Sequence, residues 1–221
     1  MKTAYLLSIL SSSIAALPLM AAAQPVPLMP VPAAVVPSAG FLTIVIIRHA
    51  EKPAEGLGQL TCQGLNRSLA LAPVLLKKYG RPAAIFAANP SQLKTDNGVA
   101  YPYIRPLATI EPLAIRVGMP VDIRWGMTEI DPLATQLLKA TSGTQVVAWE
   151  HHWAESLARR LLARMNGAAA DVPPWGDADY DSAFVIRSEV TQEGFRGVTF
   201  AREQEGLDGL PTACATAEPR P

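Results

Sequence analysis

The stretch that most constrains the fold is "TIVIIRHAEKP", in which five aliphatic or β-branched residues, Thr43 to Ile47, lead directly into charged ones. A run without alternating polar positions is typical of a strand buried on both faces of a mostly parallel sheet. Such a strand needs helices on both sides, so the run predicts an α/β protein. The charged residues would then leave the fold at the carboxyl end of this strand.

The rest of the chain alternates helical and strand patterns, which predicts crossover units and a parallel sheet. The predicted elements are a helix capped by Thr61 and stopped at Gly80, a strand at 83–88, a polar loop at 89–104, a helix at 105–118 that opens at Pro106 and is disturbed at Pro112, a strand at 121–123, a helix at 131–141 capped by Asp131, a strand at 144–149 and a helix at 151–167.

The final part of the pattern differs, because 182–190 and 197–203 flank a turn that contains Gly194. Two such segments predict a β-hairpin that adds edge strands to the sheet. The predicted fold is therefore a three-layer α/β/α arrangement with a mostly parallel central sheet and a C-terminal β-hairpin at its edge.

The N-terminal residues have the pattern of a segment that is cleaved during export and is not part of the folded domain. Residues 1–23 have a lysine, a short interrupted apolar stretch and a run of alanines, which is the pattern of a secretory signal peptide. The alternative is an uncleaved membrane anchor. Residues 24–40 are rich in proline and predict an extended linker, followed by a domain at 41–209 and a tail at 210–221. The expectation is export to the periplasm or the medium, without membrane contact after cleavage.

Charge and cysteine content bear on the partners, the disulfide and the metal sites that the chain can have. The chain has 19 basic and 19 acidic residues, so its zero net charge argues against a nucleic-acid partner. In an exported chain, the two cysteines Cys62 and Cys214 favour a disulfide. A metal site is not expected from two thiols and three histidines, two of which are adjacent.

Two predicted strands end in histidine, because "IVIIRHAEK" delivers His49 and "QVVAWEHH" delivers His151. The carboxyl ends of parallel strands share one edge of a sheet, where ligands bind in open α/β folds. Arg48 precedes His49, and Arg105 opens a helix nearby. Imidazoles and guanidinium groups on one rim predict an anion site suited to a phosphoryl group.

The segments "RHAEKP", "LTCQGLNRSLAL", "RPLATIEPLA" and "VVAWEHHWAESLARRL" together resemble the histidine phosphatase superfamily, which has the phosphoglycerate mutase-like fold. The resemblance runs from Phe41 to about Met165, and the tail hairpin is similar to a bacterial exported branch. Ala50 stands where the family usually has glycine. The common "SxLxRAxxTA" spacing is absent before Arg105, where the long loop lies instead.

The resemblance implies roles for particular residues. His49 would be the nucleophile, with Arg48 beside it, and the phosphate would also contact Lys52, Arg105 and His151 rather than His152. Glu129 would be the proton donor, in preference to Asp131, which is also a helix-cap candidate. Glu51 and Glu150 would orient an arginine or histidine, and His152 would either begin the helix or line the pocket. The segment 89–103 would be a substrate-facing lid or a surface loop.

The function expected from this resemblance is metal-independent hydrolysis of phosphomonoesters through a phosphohistidine on His49, without a cofactor. The partner would be a small phosphorylated substrate or a phosphate ion. The alternative is a catalytically silent phosphate-binding or protein-interaction module of the same fold. An intramolecular phosphomutase ranks lower, because its glycolytic substrates are cytoplasmic and this chain carries an export pattern.

Overall fold

The computed structural model describes residues 40–214, so the predicted signal peptide, the linker up to residue 39 and the last residues of the tail lie outside the described residues. The elements in order are β1 (Gly40–Arg48), α1 (Cys62–Tyr79), β2 (Ala84–Ala87), β3 (Leu93–Asp96), β4 (Val99–Pro102), α2 (Arg105–Val117), α3 (Ile130–Leu137), β5 (Gly143–Trp149), α4 (His151–Arg164), a 3-10 turn (Ala169–Asp171), β6 (Ser182–Thr191) and β7 (Gly194–Gln204). Within this part of the chain, no helix has the length and apolar character needed to cross a membrane.

The central sheet has five strands in the order β2-β5-β1-β6-β7. Strand β1 pairs parallel with β5, and β5 pairs parallel with β2. The hairpin β6-β7 adds to the other side of β1 in antiparallel pairing. The predicted three-layer fold with a parallel centre and a C-terminal hairpin at its edge is therefore confirmed.

The side chains of β1 explain why its sequence is apolar without alternation. Leu42, Ile44 and Ile46 belong to a core cluster that includes the buried faces of α3 and α4. Val45 and Ile47 belong to a second cluster with α1 and α2. Both faces of the strand are therefore covered by helices, and the side chains at Leu42 and at 44–48 are buried, whereas Phe41 near the start of the strand is exposed.

Helix α1 begins and ends as predicted. The Thr61 hydroxyl accepts a hydrogen bond from the Gly64 backbone N–H at 3.1 Å, and the chain leaves the helix at Gly80 with a positive φ of 73°. The predicted disulfide is present between Cys62, the first residue of α1, and Cys214. It attaches the C-terminal segment at Cys214 to the start of α1.

Four details differ from the sequence-based prediction. The loop at 89–104 contains the hairpin β3-β4, and the predicted strand at 121–123 makes only a single bridge between Asp122 and Phe86. Helix α2 continues through Pro112. Helix α3 begins at Ile130, so Asp131 lies inside its first turn and does not cap it. Its carboxylate instead pairs with two arginines of α4, Arg160 and Arg164.

Candidate active site

Strands β1 and β5 end side by side, and this pairing sets the position of both histidines. Arg48 lies opposite Trp149 in the parallel register, and the His49 N–H donates to the Trp149 carbonyl at 2.9 Å. The next residues along each strand therefore leave the sheet at one edge. Helix α4 begins at His151, immediately beyond that edge.

A cavity of about 370 Å³ lies at this edge. The sequence-predicted residues that line it are Arg48, His49, Lys52, Arg105, Glu150, His151 and His152; the others are Lys94, Thr95, Asp96, Asp177 and Tyr180. A small cavity with this many cationic groups suits a compact anionic ligand.

The His49 imidazole is buried and has a defined tautomer. Its Nδ1 lies 2.8 Å from the Ala50 carbonyl oxygen, which can only accept, so Nδ1 carries the proton. Nε2 is then the nitrogen with a free lone pair. Burial lowers the pKa of His49 well below its ordinary value, and the nearby cations Arg105 and Arg48 lower it further. The ring is therefore a neutral base at neutral pH.

Backbone carbonyls hold the Arg48 guanidinium in place. Its Nη1 donates to the carbonyls of Gly176, Asp177 and Asp179 at 3.3, 2.6 and 3.1 Å. Its planar head also lies over the Tyr180 ring, 3.9 Å from the centroid. These contacts use one edge of the guanidinium and leave its Nε without a hydrogen-bond partner.

Arg105 is the first residue of α2 and is completely buried. Its Nη1 donates to Asp96 Oδ2 at 2.8 Å and to the Gly56 carbonyl at 3.1 Å. Asp96 ends strand β3, so the hairpin that the sequence did not predict supplies the counter-ion of this arginine. Lys52 Nζ lies 3.8 Å from the same carboxylate.

Across residues 40–214, five buried side-chain polar atoms have no hydrogen-bond partner, and they belong to four residues around His49: Arg48 (Nε), Tyr103 (Oη), Arg105 (Nε and Nη2) and His151 (Nδ1). A buried donor without a partner costs about 1–3 kcal/mol. Such groups are rare in folded proteins, and their concentration at one place indicates a site arranged for a ligand that accepts hydrogen bonds.

Two carboxylates flank the His151 ring. Asp177 Oδ1 lies 2.7 Å from its Nε2, and Glu150 Oε1 lies 3.2 Å from its Nδ1 without hydrogen-bond geometry. Burial raises the pKa of Glu150, but its contacts with His151 and Lys94 outweigh this and lower the pKa to about 2. Glu150 also caps α4 by accepting from the Trp153 N–H, and His152 lies exposed at the rim.

Two predicted residues do not line the cavity. The Glu129 carboxylate accepts a hydrogen bond from the Gly126 N–H at 2.6 Å, and the side chain is exposed to solvent. Glu51 does orient an arginine, but that arginine is Arg67 on α1. Glu129 is therefore not among the residues that line the cavity, and Glu51 orients an arginine behind it.

Arg67 is the centre of a buried ion cluster behind the site. Its guanidinium contacts four carboxylates, which belong to Glu51, Asp181, Glu205 and Asp208. Burial raises the pKa of Glu205 to about 8, although Arg67 acts in the opposite direction. The cluster connects the loop after β1 to the loop before β6, and both loops contribute to the cavity.

The sequence analysis did not identify Asp177, Tyr180, Asp96 or Tyr103 as site residues. Asp177 and Tyr180 lie in "GDADYD" at 176–181, more than 120 residues after Arg48, with which both make contact. The only sequence feature that could have pointed to these two residues is the acidic, glycine-containing composition of the segment. Asp96 and Tyr103 come from the β3-β4 hairpin and the residue after it, which the sequence analysis treated as a possible lid.

The low pKa of His49 gives a test of the site's electrostatics. An ordinary histidine, with a pKa of about 6.5, is mostly protonated at about pH 5.5. We expect His49 to remain neutral there, which can be measured from its Cε1–H chemical shift by NMR, with the signal assigned by its loss in His49→Gln. A titration midpoint at or above about 6.5 would contradict the described burial and cation contacts.

No protein-family model and no curated protein matches the chain. Among solved structures it is similar to mycobacterial hydrolase 2, with a TM-score of 0.51 and 14% identity over 80% of this chain and 93% of the other. It is also similar to phosphoglycerate mutase from Plasmodium falciparum, with a TM-score of 0.49 and 11% identity over 81% and 99% of the two chains. The protein histidine phosphatase SixA, solved with tungstate, gives a TM-score of 0.49 and 14% identity over 74% and 97%.

At 14% identity, the likeness to mycobacterial hydrolase 2 is one of fold alone. Membership of the superfamily that the sequence resembles therefore stays a prediction.

Proposed function

We propose that the protein is a phosphatase that hydrolyses phosphomonoesters through a phosphohistidine on His49. The observation that carries the proposal is the group of unpartnered buried polar atoms around a neutral histidine. Oxygens of a phosphoryl group would accept hydrogen bonds from these donors, which are already fixed before the substrate arrives. Preorganised donors of this kind stabilise the charge of a transferring phosphoryl group.

In the first step, His49 Nε2 attacks phosphorus and the bond from phosphorus to the ester oxygen breaks. The Nδ1–H keeps its contact with the Ala50 carbonyl, so the positive charge that develops on the ring is stabilised by a fixed dipole. Arg48, Arg105 and Lys52 face the phosphoryl oxygens throughout the transfer. In the second step, water attacks phosphorus, the nitrogen–phosphorus bond breaks and phosphate leaves with His49 neutral again.

The leaving alkoxide takes a proton in the first step, and we assign its donation to His151. His151 lies in the cavity lining, and the Asp177 and Glu150 carboxylates hold its ring from two sides, 2.7 Å from Nε2 and 3.2 Å from Nδ1. Glu129, the donor expected from the sequence, lies outside the cavity. A histidine can also take a proton back from the attacking water in the second step.

The proposal includes metal independence and export. Fixed guanidinium and ammonium groups would supply the positive charge that Mg²⁺ supplies in kinases.

A disulfide between Cys62 and Cys214 supports an oxidising location such as the periplasm or the medium, in agreement with the signal-like N-terminus.

A silent phosphate-binding module is the second candidate. The observation that favours it is the position of Glu129 outside the cavity, because the carboxylic acid expected to protonate the leaving group is then missing. Such a module would keep the anion site and lack turnover. The two candidates therefore make opposite predictions for the same assay.

The central test is release of p-nitrophenol from p-nitrophenyl phosphate by the purified chain, with EDTA present. We expect metal-independent turnover, and we expect His49→Ala to reduce it by at least about 10⁴-fold, the scale on which enzymes lose rate without their nucleophile. Phosphate binding without turnover would instead favour the silent module. Turnover that persists in His49→Ala would contradict the phosphohistidine mechanism.

The assignment of the proton donor has its own test, because p-nitrophenolate leaves without protonation whereas an alkoxide does not. His151→Asn should lose about 10²–10⁴-fold more rate on an alkyl phosphate than on p-nitrophenyl phosphate. The matched comparison is Glu129→Gln, measured by kcat/KM on both substrates. A selective loss on the alkyl phosphate in Glu129→Gln, and not in His151→Asn, would return the role to Glu129.

A further inference from the structure

Three side chains at the rim of the cavity present nitrogen and oxygen atoms to one another. The rings of His151 and His152 are adjacent, with their centroids 3.9 Å apart. Asp177 Oδ1 lies 2.7 Å from His151 Nε2 and 3.7 Å from His152 Nε2. Together with Glu150, the two histidines also have ligand-type atoms within 4.8 Å of one another.

The two distances from Asp177 Oδ1 are compatible with zinc coordination. Zinc bonds to histidine nitrogen and carboxylate oxygen are about 2.0–2.1 Å long in tetrahedral sites, which places neighbouring ligand atoms about 3.3 Å apart. The two distances from Asp177 Oδ1, 2.7 and 3.7 Å, lie on either side of that value. Asp177 and His152 are both exposed, so their side chains have room to adjust toward a shared ion.

Glu150 adds the feature that zinc-binding histidines commonly share. A zinc-bound imidazole usually has a carboxylate or carbonyl next to its other nitrogen, which fixes the ring and increases its basicity. Glu150 Oε1 lies 3.2 Å from His151 Nδ1, which is buried and has no hydrogen-bond partner. Glu150 thus lies beside Nδ1, and Nε2 faces Asp177 on the side where a metal ion would bind.

We propose that His151 Nε2, His152 Nε2 and Asp177 Oδ1 bind one zinc ion, with water in the fourth position, and that this ion blocks the phosphoryl site. Binding displaces any proton from His151 Nε2, because the lone pair of that nitrogen goes to the metal. His151 could then neither contact a phosphate oxygen nor donate a proton. The zinc ion is thus an inhibitor of this site and takes no part in the reaction.

The three atoms have both acidic and basic neighbours, and the acidic neighbours favour a bound cation. The carboxylates of Asp177 and Glu150 lie on opposite sides of His151. Two cations oppose a positive ion: Lys94 Nζ, 3.7 Å from Glu150, and the Arg48 guanidinium, 2.6 Å from the Asp177 carbonyl. Two imidazoles and one carboxylate form a ligand set suited to zinc, whereas Mg²⁺ and Ca²⁺ prefer oxygen ligands only. Mg²⁺ is therefore the matched metal control.

The first experiment measures zinc binding by competition with a chromogenic chelator, using the purified full chain. The background from other strong ligands is small, because the chain has only three histidines and both cysteines form a disulfide. We expect one zinc ion per chain, and a loss of affinity of at least about tenfold in His152→Asn and in Asp177→Asn. The control is Asp171→Asn, which removes an exposed carboxylate outside the cavity.

Equal zinc affinity in the wild type and in both variants would overturn the proposal, as would the absence of binding at micromolar zinc. Circular dichroism spectra of the variants should match the wild type, so that loss of the fold is not read as loss of the site. A loss in Asp171→Asn as large as in Asp177→Asn would also contradict the assignment, since it would indicate nonspecific surface binding.

The inhibitory consequence rests on the proposed function and is measured separately. Zinc should inhibit turnover of p-nitrophenyl phosphate, EDTA should restore it and Mg²⁺ should leave it unchanged. Each variant is compared with its own rate without metal, and His152→Asn should need at least about tenfold more zinc for the same inhibition. Binding without inhibition would overturn the blocking role. A chain that binds zinc as expected but hydrolyses nothing would instead contradict the proposed function.

Discussion

The parallel pairing of β1 with β5 is the contact on which the site depends. The strands end in register, and the His49 N–H continues the ladder to the Trp149 carbonyl. A shift of two residues along this pairing would move one histidine by about 6.6 Å relative to the other, because a parallel strand rises about 3.3 Å per residue. The pairing is maintained because both faces of β1 are buried against helices, where a slip would expose apolar side chains to water.

The two buried arginines of the site each use only some of their N–H donors in hydrogen bonds within the protein. One edge of the Arg48 guanidinium is bound by three carbonyls, and Arg105 is bound by Asp96 and a carbonyl. These contacts fix the position of both arginines while other donor atoms stay free. Burial together with these cations also keeps His49 neutral, so the arrangement that would attract a phosphoryl group is the same one that would make its attacking nitrogen available.

The sequence was sufficient for the parts of the fold and site that depend on local pattern. The buried run at 43–47 predicted a doubly covered strand, and histidines at two strand ends predicted His49 and His151 at one edge. The residues that hold Arg48 could not be predicted, because the loop at 176–181 contacts it from far along the chain. Glu129 was placed by the family pattern alone, and its actual partner, the Gly126 N–H, depends on a local turn that has no sequence signature.

The most direct test of the account is detection of the covalent intermediate. The chain is mixed with a phosphomonoester, quenched in alkaline denaturant, in which phosphohistidine survives, and analysed by mass spectrometry of its peptides. The account predicts one phosphoryl group per chain on the peptide that contains His49, and none on the same peptide of His49→Ala. Turnover without any phosphorylated peptide, or a phosphoryl group on another residue, would contradict it.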